Sequence, residues 1–118
     1  MINIWNNLKS SIEADGYTVY DKPLEQASMT QKFPIVYLFP TREVRSVINL
    51  SAPQIDKNII FQCTVQDKSI ESLDNNIKNI IEIIENTNYI IETYEINYDF
   101  NTSGKIYVGT ISFSVRSL

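Results

Sequence analysis

The chain opens on Met1, Ile4, Trp5, Leu8 and Ile12, which fall within a stripe about 100° wide when residues are spaced at about 100° around a helix axis; Asn6, Asn7 and Glu13 fall elsewhere. Asp15-Gly16 supplies a stop, so the pattern predicts an amphipathic first helix. Tyr17-Thr18-Val19-Tyr20 follows, and its β-branched and aromatic content suits a short strand. Lys22 to Lys32 reads as a loop. Ile35-Val36-Tyr37-Leu38-Phe39 is a continuous apolar run between Pro34 and Pro40, which predicts a strand ending at Pro40, buried on both faces at the sheet centre.

Beyond Pro40, Val44, Ile48 and Leu50 alternate with Arg45 and Asn49. After Ser51-Ala52-Pro53-Gln54, the positions Ile59, Phe61, Cys63 and Val65 alternate with Gln62, Thr64 and Gln66, and the two together predict a long β-hairpin. Asp67 and Ser69 are candidate N-caps for a second helix. In it Ile70, Leu73, Ile77, Ile80, Ile81 and Ile84 share one face, and Glu71, Asp74, Lys78, Glu82 and Glu85 share the opposite one. Ile83 lies at the flank, half exposed, and Asn86 to Asn88 ends the helix.

A closing hairpin is predicted by Tyr94, Ile96, Tyr98 and Phe100, then Asn101-Thr102-Ser103-Gly104, then Tyr107, Gly109, Ile111, Phe113 and Val115. A four-residue loop puts Tyr98 opposite Tyr107, Ile96 opposite Gly109 and Tyr94 opposite Ile111. A two-residue Ser103-Gly104 turn keeps the same core face and shifts only the register. The element order is helix, short strand, strand, hairpin, helix, hairpin. It predicts one α+β domain over residues 1–118: a mostly antiparallel, twisted sheet of five to six strands with two helices packed on one face. The other face must meet water or a partner.

Composition narrows the function. At 118 residues, 43% hydrophobic and 20% charged, the chain can support one core without staples. A net charge of −4, with its Lys and Arg scattered, argues against nucleic-acid sequence recognition. Cys63 is the single cysteine, which removes an intramolecular disulfide and fits a reducing compartment. The N-terminus has no basic region followed by an apolar core, so no membrane role is expected.

Chemistry finds little to work with. Without histidine there is no Ser-His or Cys-His nucleophile, no histidine metal site and no neutral-pH proton shuttle. The glycines form neither a dinucleotide fingerprint nor a Walker loop, so no cofactor is expected. Glu95 and Asp99 share a strand face but their backbone sites stand ~13 Å apart, far beyond the ~5 Å of a retaining glycosidase pair. Cys63, in phase with Ile59, Phe61 and Val65, reads as a small buried hydrophobe. Trp5 and most of the tyrosines fall in register with core residues, which makes packing a better account than a stacking platform. Arg42, Arg45 and Lys57 could meet an acidic partner along the middle hairpin, although isolated charges of this kind are usually only solvated.

The element order, with Phe33-Pro34-Ile35-Val36-Tyr37-Leu38, the extended hairpin, Asp67-Lys68-Ser69 leading into an amphipathic helix, and the closing Ile106-Tyr107-Val108-Gly109-Thr110-Ile111-Ser112-Phe113, resembles tail-terminator or tail-completion proteins of phages and phage-tail-like bacteriocins. The likeness is one of architecture and strand flavour and covers nearly the whole chain. It implies a structural, non-enzymatic protein forming a hexameric ring that caps the tail tube or sheath end and terminates tail polymerisation. Its implied partners are copies of itself, the tube protein, and a sheath or head-connector protein; its implied place is the host cytoplasm during assembly and then the particle.

The surfaces expected to serve are the hairpin carrying Arg42, Arg45, Val47, Leu50, Ala52, Pro53, Gln54 and Ile55, the loop carrying Leu24 and Met29, and the strand edges, which can add a neighbouring strand. Two other readings compete. One is a dimeric ferredoxin-like module holding a small ligand among Tyr94, Tyr98 and Tyr107. The other is an acidic immunity or inhibitor protein directed at a basic toxin.

Overall fold

Apolar residues at helical spacing draw one side of α1 (Ile2–Glu13) inward, so that Ile4, Leu8 and Ile12 are buried in the core. The helix ends through Gly16 at φ 98°, a left-handed conformation that only glycine adopts without strain. In the computed structural model, residues 2–20, 33–47, 55–99 and 106–117 are described. After α1 come β1 (Val19–Tyr20), β2 (Ile35–Val47), β3 (Ile55–Asp67), α2 (Ile70–Glu85), β4 (Ile90–Asp99) and β5 (Tyr107–Ser117).

The strands form one sheet in the order β1-β2-β3-β5-β4, antiparallel except for β1 against β2. Both helices lie on the same face, α2 over β3 and β5, and α1 against α2, β1 and β2. The predicted α+β class and one-sided layering therefore hold. Inward positions along β3 (Ile59, Phe61, Cys63, Val65) meet inward positions of β5 (Val115, Phe113, Ile111, Gly109) across the ladder. At Gly109 an added Cβ would run into the Ile77 Cδ1 methyl, with Leu73 Cδ1 only 3.5 Å away; the missing side chain lets α2 settle onto the sheet.

Ser69 caps α2, its hydroxyl accepting from the Ser72 N–H at 3.1 Å, and Glu71 in the first turn faces the positive end of the helix dipole. Leu73, Ile77, Ile80 and Ile84 are buried, and Ile83 is half-buried against the core. The other proposed cap, Asp67, has a different task. It continues the inward period of β3 and is buried, where its carboxylate accepts from the Ser72 hydroxyl (2.6 Å), the Asn76 amide (2.8 Å) and the Lys68 N–H (2.8 Å). Tyr17 donates to the Asn76 side-chain Oδ1 at 2.9 Å and accepts from the Asn79 amide at 3.0 Å, and Asn79 also donates to Asp15 at 2.6 Å. This polar chain ties the α1–β1 turn to α2 and the end of β3.

Two expectations change. The apolar run Ile35–Phe39 is not a separate central strand that stops at Pro40; β2 continues to Val47, and the centre of the sheet is β3. Pro40 is tolerated because β1 pairs only with Val36 and Tyr37, so the missing N–H of proline lies where no described strand asks for it, and the register shifts between Pro40 and Arg42. Secondly, Tyr94, Ile96 and Tyr98 do share the helix-side face, but Ile96 and Tyr98 are 38% and 43% exposed. Helix α2 covers β3 and β5 and leaves β4 beyond its flank. The pairings Tyr98↔Gly109, Ile96↔Ile111 and Tyr94↔Phe113 are those of the shorter-turn register, with the turn itself outside the described residues.

Candidate functional site

Three surfaces of the sheet are left over by the core. The first is the face turned away from the helices. Residues on this side alternate with the buried ones: Gln62, Thr64 and Gln66 on β3, then Thr110, Ser112 and Ser114 on β5, all partly exposed. It is a largely polar surface of hydroxyls and amides with Ile60 and Val108 in the same phase; near β1, Ile35 and Tyr37 are buried and the Tyr37 and Tyr20 aromatic rings lie 6.1 Å apart.

The second surface is the outer edge of β4. This strand pairs with β5 on one side, and among the described residues no strand pairs with its other side. Its helix-side residues Ile96 and Tyr98 are exposed, and its opposite side carries Glu95, Asn97 and Asp99, also exposed. Asn97 donates to Glu95 at 3.3 Å, Glu92 pairs with Arg116 at 3.6 Å, and the Tyr98 hydroxyl reaches Asp74 at 3.4 Å. Desolvation first, then the Asp74 charge, raises the Tyr98 phenol above its ordinary value. Tyr94, deeper on the same strand, has a buried hydroxyl that finds no hydrogen-bond partner among the described residues; desolvation, then the nearby Glu85 charge, pushes it up to about 12.

The third surface is the outer edge of β2 beyond β1. Trp5 Nε1 donates to the Leu38 carbonyl at 2.7 Å, just past the last β1 pair, and from Phe39 to Val47 no described strand lies on that side. Thr41, at the register shift, donates its hydroxyl to the Ile60 carbonyl at 3.0 Å.

The sequence-predicted surface residues are distributed as follows. Arg42 is exposed on β2 and paired in register with Ile60; Arg45 pairs with Lys57, and Val47 with Ile55, at the far end of the β2–β3 arm. Leu24, Met29, Leu50, Ala52, Pro53 and Gln54 lie outside the described residues. The exposed Ile96 and Tyr98 were missed as surface because alternation reports a side and not what covers it. The available signal was the width of the sheet, too great for two helices to cover.

Other candidate chemistry is quiet. Among the described residues no group of three or more Cys, Asp or Glu is placed to hold a metal, and no helix is long and apolar enough to cross a membrane. Cys63 is buried and its thiol is pushed up to about 12 by desolvation, which leaves it protonated and unreactive. Tyr94, Tyr98 and Tyr107 share the helix-side face: Tyr94 lies 6.3 Å from the Phe113 aromatic ring, the Tyr98 hydroxyl reaches Asp74, and Tyr107 packs against the core at the start of β5. A polar groove between α1 and the end of α2, lined by Asn7, Ser10, Asn86 and Tyr89 among others, is bridged by the Asn7 amide donating to the Tyr89 hydroxyl at 2.7 Å.

No family model matches the chain, and no curated protein matches it. Among solved structures it is similar to a protein from Akkermansia muciniphila (TM-score 0.48, 12% identity, covering 94% of this chain and 47% of that one). It is also similar to a core domain from Akkermansia muciniphila (TM-score 0.46, 9% identity, 94% and 53%). A third similar chain belongs to the virion of a native gene transfer agent particle (TM-score 0.48, 8% identity, 92% and 82%). The chain thus spans about half the length of the two Akkermansia muciniphila chains.

Proposed function

We propose that this chain is a structural assembly protein that associates with copies of itself into a ring, hexameric in the family it resembles, and that the ring seats on the end of a phage-type tail tube and stops its polymerisation. The observation that carries the reading is a sheet with, among the described residues, an unpaired strand edge on each side, β4 at one and β2 from Phe39 to Val47 at the other. Unpaired edges attract further strands unless they are blocked, and a subunit with two different free edges can associate head to tail. Identical head-to-tail contacts close into a ring when the rotation between neighbours closes, and individually weak contacts then hold together through avidity.

In this reading the end of the β2–β3 arm, with Arg42, Arg45, Val47 and Ile55, and the segments carrying Leu50, Ala52, Pro53, Gln54, Leu24 and Met29, supply contacts to neighbours, to the tube protein, and to a sheath or head connector. The ring assembles in the host cytoplasm and stays in the particle. Catalysis has no part in it. The test is electron microscopy of tails assembled with and without the chain, together with native mass spectrometry of the purified protein. Overlong or uncapped tubes in its absence, and masses at multiples of the monomer, are the expected results. A protein that is monomeric across a full concentration series, and whose removal leaves tube length and tube ends unchanged, refutes the reading.

A further inference from the structure

The two free edges differ in charge. Strand β4 carries Glu92, Glu95 and Asp99 and no base, although Glu92 is partly offset by Arg116 at 3.6 Å. The outward side of the neighbouring α2 adds Glu71, Asp74, Glu82 and Glu85 against Lys78, which is itself paired with Asp74 at 2.9 Å. On the opposite edge, β2 beyond its bulge carries Arg42 and Arg45 against Glu43, and across the ladder Lys57 stands opposite Arg45 and Asp56 opposite Ser46, so the edge itself has an excess of one positive charge. The strand order β1-β2-β3-β5-β4 holds these edges on opposite sides of the molecule.

Each edge is broken by one register shift, between Ile91 and Tyr94 in β4 and between Pro40 and Arg42 in β2. Past these irregularities the described residues pair regularly, Tyr94–Asp99 in one and Arg42–Val47 in the other. Regular stretches are what a strand ladder requires, since a bulge leaves a residue unpaired.

We infer that the occupant of the β4 edge is the β2 edge of a second copy, so that Tyr94–Asp99 of one subunit pairs with Arg42–Val47 of the next and the sheets of successive subunits join. This rests on the self-association proposed above and specifies its surface. Backbone hydrogen bonds supply the attraction, and the acid-to-base match selects the unlike edge over the like one, because two β4 edges or two β2 edges facing each other repel. Ile96 and Tyr98, exposed in the single subunit, then lie beside the junction and lose part of their contact with water.

A charge exchange tests it. R42E/R45E and E95K/D99K are each made in the full chain, checked for native circular dichroism, and measured by sedimentation velocity and native mass spectrometry alone and in equimolar mixture. Each variant alone associates on the order of tenfold or more weakly than wild type, since every junction now sets like charges together. The mixture recovers assembly, and its complexes contain the two variants in alternation, because the lysine edge of one meets the glutamate edge of the other. Variants that assemble like wild type, or a mixture no better than either component, overturn the edge pairing and leave the ring proposal standing. Wild-type protein that never assembles and leaves tube ends untouched overturns the ring proposal itself.

Discussion

Replacing Gly109 by alanine tests whether α2 owes its seat to a missing side chain. In an ordinary strand interior the exchange would be favourable by about 0.5–1 kcal/mol, because glycine loses more chain entropy on folding. Here the new methyl meets the Ile77 Cδ1, with Ile77 Cγ1 at 3.4 Å and Leu73 Cδ1 at 3.5 Å, and both residues are buried in the core, so moving aside displaces packed neighbours. Overpacking of this kind costs roughly 1–3 kcal/mol, so the net expectation is a loss of about 1–2 kcal/mol. For a domain of this size that is a fall in Tm of about 4–8 °C. The assay is thermal and urea unfolding followed by circular dichroism at one fixed protein concentration, since assembly adds to apparent stability. Ile77→Val deletes the methyl that clashes and by itself costs about 0.5–1.5 kcal/mol. In the double variant the alanine methyl occupies the vacated space, so the two losses do not add and the coupling is favourable by about 1–2 kcal/mol. A Tm for Gly109→Ala at or above wild type, or strict additivity with Ile77→Val, refutes the reasoning.

Trp5→Phe keeps an aromatic ring against the core but removes the donor to the Leu38 carbonyl, and costs about 1 kcal/mol in urea unfolding. Asp67→Ala leaves the Ser72 hydroxyl and one Asn76 donor without their acceptor and costs about 1–3 kcal/mol, again read by unfolding. Cys63 stays unmodified by a thiol reagent at neutral pH until the protein is unfolded, so modification tracks the unfolding transition. Stability falls at alkaline pH: Cys63 and Tyr94 hold their protons more tightly folded (each up to about 12) than unfolded (9.0 and 10.0). Their contribution is therefore intact below the unfolded values and declines as pH rises from about 9 toward 12, which a pH series of urea midpoints measures.

Much of the layer architecture was legible because period and burial agree where an element has one covered side. The Leu73 to Ile84 face of α2 and the Ile59 to Val65 alternation of β3 are examples, with Leu73, Ile77, Phe61 and Cys63 all buried, whereas Ile70, placed on the same face by its period, is 51% exposed at the first residue of the helix, before the sheet covers it. The identity of the central strand was not legible. Ile35–Phe39 looks central because Ile35, Val36, Tyr37 and Leu38 are buried on both faces, yet β2 has β1 beside only two of its residues. Burial by side chains across the sheet faces and burial by strands at the edge are independent, and an apolar run reports only the former. Asp67 was read as a cap because it precedes a helix, but its place in the inward phase of β3 decides its role. The expected surface was legible as a place, the β2–β3 arm; its counterpart at Ile96 and Tyr98 was hidden because alternation cannot say where a covering helix ends.

That uncovered strip bears on why an assembly would stop at a finite size. The two helices leave β4 uncovered, and among the described residues that strand is also the edge, so exposed apolar surface and backbone without a described partner strand occur together at β4. Such an edge left regular and uncharged would pair with its own kind and invite aggregation. Here the glutamates and the aspartate oppose like pairing, and the irregularity between Ile91 and Tyr94 interrupts the regular ladder of β4. The proline and the register shift between Pro40 and Arg42 interrupt the other edge in the same manner. In the proposed ring, twist and bulge both bend the sheet away from a straight continuation between neighbours. Curvature repeated at each identical junction favours closure over an open fibre. Straightening either edge by deleting the bulge residue Thr41 should therefore yield larger, polydisperse assemblies in sedimentation velocity; a deletion variant with the native size distribution would break the link between the bulge and closure.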